Sequence, residues 1–306
     1  MTPESPQAQQ DLRLPTRLDL EAILAPLRTG RDPSWQRLAG GWAKASRTPS
    51  GPGVEALVLN TGQGVLRQRA WGPGADWLAQ RLLALIGHTD DDTGFEPPAP
   101  LTQIWREHRG WRVPATGLVL ETLVPVILAQ KVTGKEAAAS YRRLMLSYGE
   151  AVAFGPWPDL LLPPAPRVWA HVPSWQWHRA GVGPERSRAV VTAAGRAASL
   201  ERLCARPSSD AQRALQSLPG IGQWTAAEVA QRVFGDADAI SVGDFHIAKG
   251  VVFALTGERN GTDEQMLALV APYAPHRFRI QRLVELGGLG PPRRGPRFAG
   301  RDYRDI

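Results

Sequence analysis

Two hydrophobic rhythms run through the first part of this chain. VEALVLN (54–60) and GVLRQRAW (64–71) are two strand-like runs joined by TGQG, which predicts a hairpin. RLAGGWAKASRT (37–48) predicts a third strand. In GADWLAQRLLALIG (74–87), Leu78, Leu82 and Leu85 recur at i, i+4 and i+7, the spacing of one helix face. In LDLEAILAPLRTG, Ile23 and Leu27 share a face, Asp19 is placed to cap the helix and Gly30 to stop it. The polar residues 1–17 are expected to be frayed. Residues 1–98 therefore predict a small α+β domain.

TDDDTGFEPPAP (89–100) marks a boundary by its acid run and prolines. Beyond it the pattern is helical. Leu123 and Ile127 share a face in 117–131, and 134–150 and 183–200 continue the pattern. The segment 154–169 is a proline-punctuated connection. In 209–218, Ser209 or Asp210 is expected to cap, with Ala211, Leu215 and Leu218 turned inward. Ala227, Ala230 and Phe234 share a later face. The expectation is a mainly α chain, with an all-α domain over 99–290 and an irregular Arg-rich tail over 291–306.

Composition narrows the function classes. The net charge of +7 and pI of about 10.1 favour a polyanionic partner. Only four of the 36 basic residues are lysine, a skew typical of a GC-rich genome, which weakens the charge argument. With Cys204 as the single cysteine, no intrachain disulfide, cysteine-ligated zinc or iron–sulfur cluster can form. The histidines show no ligand spacing; His171 and His178 are expected to pack beside Trp175 and Trp177. No signal peptide or membrane span is expected, so the chain reads as cytoplasmic.

SLPGIGQWTAAEVAQRVFG (217–235) holds the strongest chemistry. Gly220 and Gly222 admit two readings. A dinucleotide fingerprint needs a preceding strand and a third glycine, and Thr225 stands in that third place. Asp244, 22 residues beyond Gly222, would serve as its ribose-binding acid. A helix–turn–helix reading instead has both glycines permit positive φ and leaves backbone N–H groups uncovered as a phosphate site. The helical pattern before Gly220 favours the second reading.

LPGIGQWTA together with VGDFHIAKG (242–250) resembles the helix-hairpin-helix DNA glycosylase superfamily, and the order of segments resembles its 3-methyladenine DNA glycosylase II group. The resemblance covers most of the chain. It implies a helix-hairpin-helix glycosylase fold and a monomer that acts on double-stranded DNA carrying a damaged base, near a bacterial nucleoid. It implies no cofactor and no metal beyond a monovalent cation at the hairpin. Asp244 becomes the catalytic carboxylate, stabilising an oxocarbenium-like sugar; a helix N-terminus favours its ionised form. Trp224 stands where strand-cleaving relatives carry a Schiff-base lysine, so a monofunctional enzyme that leaves an abasic site is expected. Trp224, Phe245 and Gln130 are candidate pocket residues, with alkylated purines as substrates. Gly220, Ile221, Gly222, Thr225, Lys131 and Lys249 are candidate DNA contacts, and Lys131 sits in a turn resembling the family's wedge. Two positions depart from the pattern: Glu228 replaces a pocket tyrosine, and His276 in APHRF replaces a tryptophan. These departures keep open a damage-binding protein without turnover. A dinucleotide-dependent enzyme is the last alternative.

Overall fold

The computed structural model describes residues 5–14 and 17–292. The chain opens with β1 (Ala8–Arg13), α1 (Leu20–Leu24), β2 (Trp35–Leu38), β3 (Gly41–Thr48), β4 (Gly51–Asn60), β5 (Val65–Trp71) and α2 (Ala75–Leu85). The strands form one antiparallel sheet in the order β1-β5-β4-β3-β2. α3 (Thr102–Glu107), α4 (Val119–Leu128) and α5 (Gly134–Tyr148) follow, then a short pair, β6 (Glu150–Ala151) and β7 (Leu161–Leu162). The rest is helical: α6 (Pro166–Ala170), α7 (Ser174–Ala180), α8 (Pro184–Gly195), α9 (Ala197–Glu201), α10 (Ser208–Gln216), α11 (Gln223–Val229), α12 (Ile247–Thr256), α13 (Asp263–Val270) and α14 (Arg277–Leu286).

Three local expectations need correction. Residues 8–13 are an edge strand rather than a frayed end. Their stability comes from ladder bonds and cross-strand pairs, Asp11 with Arg67 at 2.8 Å and Gln10 with Gln68 at 2.7 Å, not from apolar alternation. The run 37–48 is two strands, because Gly40 takes φ 76° and lets Ala39–Gly40 close a two-residue turn. α10 starts at Ser208 behind Pro207, with no side-chain cap from Ser209 or Asp210. Pro207 ends the extended approach, and Asp210 turns instead to Arg213.

The buried side chains form two large cores. One runs from Val119 to Val233 and includes Leu123, Ile127, Leu144, Trp177, Leu215 and Ile221. The other mixes distant parts of the chain: Ile23, Leu66, Leu82 and Trp111 pack with Val251, Met266, Ile280 and Leu283. The expected boundary at 98/99 therefore runs through the second core. The acid run that suggested it is a clasp: Arg279, fully buried, pairs bidentately with Asp90 at 2.8 and 2.5 Å. The Arg-rich stretch from 293 onward lies outside the described residues.

Candidate active site

The hairpin joins α10 to α11. Leu215, Leu218 and Ile221 are buried, which pins both helices to the first core. Gly220 takes φ 85°, and a Cβ there would lie 2.9 Å from the Ala189 Cβ. Gly222 differs from expectation. It is extended, at φ −96° and ψ −176°, and a Cβ would meet no described atom within 4 Å. The protein thus needs glycine at 220 for its own packing, while Gly222 faces open space. As N-cap of α11, Gly222 begins a turn whose first N–H groups lack intrahelical partners.

α11 runs on as a π-helical turn, Ala230–Phe234, and the chain then crosses to the second core at Ile240. Asp244 lies just beyond this crossing. Its Oδ1 accepts from the N–H groups of His246 (2.7 Å) and Ile247 (3.0 Å) at the start of α12. Its Oδ2 accepts from the Trp224 indole N–H at 3.1 Å. One carboxylate thus caps the turn into a helix of one core and holds the first turn of a helix anchored in the other. Both side chains are half-buried.

Several side chains fix the turn that presents Asp244. Gly243, at φ 86°, donates its N–H to Asp263 Oδ2 at 3.1 Å. Ser241, fully buried, donates its N–H to Gln281 at 3.0 Å and its hydroxyl to Glu228. Gln231 donates to Ser241 Oγ at 2.9 Å. Among the described residues no three His, Cys, Asp or Glu side chains gather as a metal site would require.

Comparison with solved structures gives the architecture a name. A 3-methyladenine DNA-glycosylase from Archaeoglobus fulgidus superposes with a TM-score of 0.73 at 16% identity, over 90% of this chain and 97% of that one. MBOgg1 with a low-affinity DNA ligand gives 0.73 at 16% identity, over 94% and 97%. An apo 8-oxoguanine glycosylase/lyase from Clostridium acetobutylicum gives 0.70 at 11% identity, over 94% and 99%. The fold is that of the helix-hairpin-helix DNA glycosylases. No family model matches the chain, and no curated protein matches it by sequence.

On this glycosylase fold the expected residues divide. Trp224 and Asp244 come together. Gln130 is a strut: its Nε2 donates to Gly220 O and Thr225 Oγ1, both at 2.9 Å. Thr225 and Ile221 have buried side chains, and the Ile221 N–H is spent on Leu218 O. Phe245 is 73% exposed with the Lys249 ammonium 4.0 Å over its ring, an outward pair rather than a pocket wall. Lys131 is exposed at φ 55°, the sole non-glycine residue with positive φ among the described residues.

The departures also find structural partners. Glu228 pairs with Arg232 at 2.9 Å. His276 packs on Phe95 and accepts the Arg279 Nε–H at 3.1 Å. Glu228 and Arg232 border a cavity of about 50 Å³ against Arg282 and Phe278. That is room for a water or two, well short of a purine. A wider cleft of about 800 Å³ opens between Arg17, Glu21, Arg37 and Trp42, and none of the expected site residues lines it. The dinucleotide reading fails here, because α10, not a strand, precedes Gly220, and residues 239–243 are turn and coil. Leu215 and Leu218 bind that segment into the helical core. Asp263, Ser241, Gln231 and Gln281 escaped the sequence reading. A buried glutamine on a helix looks in sequence like a solvated one, and no motif marks Asp263.

Proposed function

We propose that this protein is a DNA glycosylase of base-excision repair. It is monofunctional, hydrolyses the N-glycosidic bond of alkylated purines and leaves an abasic site. The observation that carries this reading is the Trp224–Asp244 hydrogen bond beside the hairpin. The partner is double-stranded DNA with a damaged base. The solved relatives include one with a DNA ligand and one with double-stranded DNA containing cytosine opposite 8-oxoG.

The chemistry follows from the carboxylate's ties. With the damaged nucleotide rotated out of the stack, the C1′–N bond breaks and its electron pair leaves on the base. The sugar becomes oxocarbenium-like, and the Asp244 charge stabilises it. Three N–H donors hold that carboxylate in place, so it needs no reorganisation as charge develops. Water then adds to C1′, and its proton passes to the departing base or, when a cationic base leaves neutral, to solvent. No amine stands at Trp224 to replace water with an imine.

The test is a panel of duplexes, each with one hypoxanthine or ethenoadenine, together with methylated DNA assayed for released 3-methyladenine. Wild type should form abasic sites that borohydride does not trap to the protein. Asp244→Asn should lower the rate by about 10² to 10⁴-fold with lesion binding retained. Full activity in that variant would remove Asp244 from the mechanism. Lesion binding without base release would make the protein a damage-binding factor.

A further inference from the structure

Arg186 lies on α8, three residues before the Ala189 that Gly220 packs against. Its Nη1 donates to Leu128 O at 2.8 Å, and its Nη2 donates to Gly181 O at 3.1 Å. Leu128 is the last residue of α4, and only Ala129 separates it from the Gln130–Lys131 turn. That turn is therefore held twice, by Gln130 to the hairpin and by Arg186 to α8. Lys131 is exposed at its tip.

Arg186 is half-buried on α8. Both of its bonds go to neutral carbonyls, and no carboxylate pairs with it among the described residues. Burial pushes the guanidinium's pKa down, opposed by the charge of Glu136. Glu136 is committed to the N–H and hydroxyl of Thr133 in the capping box of α5. A guanidinium has five N–H donors, and two of these are used here, leaving three. A half-buried cation with spare donors beside a hairpin N–H site fits a phosphate, which arginine binds in a forked geometry.

We propose that Arg186 is a DNA-phosphate contact of the hairpin face, and that the same guanidinium fixes the turn presenting Lys131. The proposal rests on the DNA-binding part of the function proposed above.

The test is the salt dependence of binding to a short undamaged duplex, read by fluorescence anisotropy. Each phosphate neutralised contributes about 0.9 to the slope of log Kd against log salt. Arg186→Ala and Arg186→Gln should each lower the slope by about that amount. Between 50 and 200 mM salt their Kd should then rise about threefold less than that of wild type. Arg186→Lys keeps the charge and should keep the slope, while losing one carbonyl bond and part of the affinity. Arg202→Ala removes an arginine bonded to Ser199 and should leave the slope unchanged. A wild-type slope in Arg186→Gln overturns the inference and leaves the DNA-binding reading intact, as does an equal loss in Arg202→Ala. Wild-type protein with no salt-dependent DNA affinity overturns both.

Discussion

Gly220 and Gly222 stand two residues apart and are glycine for different reasons. At 220 a side chain would face a left-handed backbone and the Ala189 methyl. At 222 the backbone is extended and the space is open. Gly220→Ala should therefore cost about 1–3 kcal/mol of stability. Gly222→Ala should stay within about 0.5 kcal/mol of wild type and, on the function proposed above, weaken DNA binding, because its methyl would occupy the phosphate approach. Urea unfolding and anisotropy on the same two variants check both halves. In the sequence these glycines look alike. The motif L-P-G-I-G showed that a tight turn forms, but φ at Gly222 is set by how α11 leaves the turn. The Thr225 hydroxyl shows the same limit: that it accepts from Gln130, in the turn after α4, depends on a residue far away in the chain.

Among elements, the packing of the sheet on α4 carries the chain's buried acids. Glu121 of α4 receives Lys44 Nζ and Ser46 Oγ, and the Arg47 N–H at 3.2 Å, all from β3. Nearby, burial pushes the Asp32 carboxyl up to about 6 and the Glu55 carboxyl up to about 7, with Lys44 opposing and Glu121 adding to both shifts. Their ordinary values are 3.8 and 4.5, so the folded state holds protons that the unfolded chain has released. The stability from these groups is complete below about pH 4 and is lost as pH rises through 6 and 7. Glu55→Gln should remove much of that loss and stabilise the protein above pH 7 by on the order of 3 kcal/mol. Unfolding curves of both proteins between pH 4.5 and 8 measure this. β5 and the α2 face bury residues at their own period, and β4 was legible as an apolar run bounded by turn residues. β1 was not, since an edge strand can be polar along its length and still complete a ladder.

In the whole molecule, the two cores meet where Trp224 touches Asp244. The second core is closed by the buried Asp90–Arg279 pair. Asp90→Ala leaves a guanidinium buried without its carboxylate and should cost about 3–5 kcal/mol, seen as a fall in Tm. Asp90→Asn, which keeps an acceptor, should cost less. The composition of 89–100 is that of a linker, and a solvated aspartate and one locked against an arginine 189 residues away read identically in sequence. That is why the helical region and the hairpin could be read from the chain and the division of the cores could not.

The arrangement of those cores also sets an order of assembly. The first is drawn from one continuous stretch, Val119 to Val233, and its partners are near neighbours along the chain. The second begins at Leu20 and is complete only with Val284. During synthesis the sheet and α1 emerge early, yet their apolar faces wait for α12, α13 and α14, which come much later in the chain. The meeting of Trp224 and Asp244 is therefore a late product of folding. Long-range contacts of this kind close slowly, so the exposed early sheet is the part of this chain that needs protection until α14 has been made.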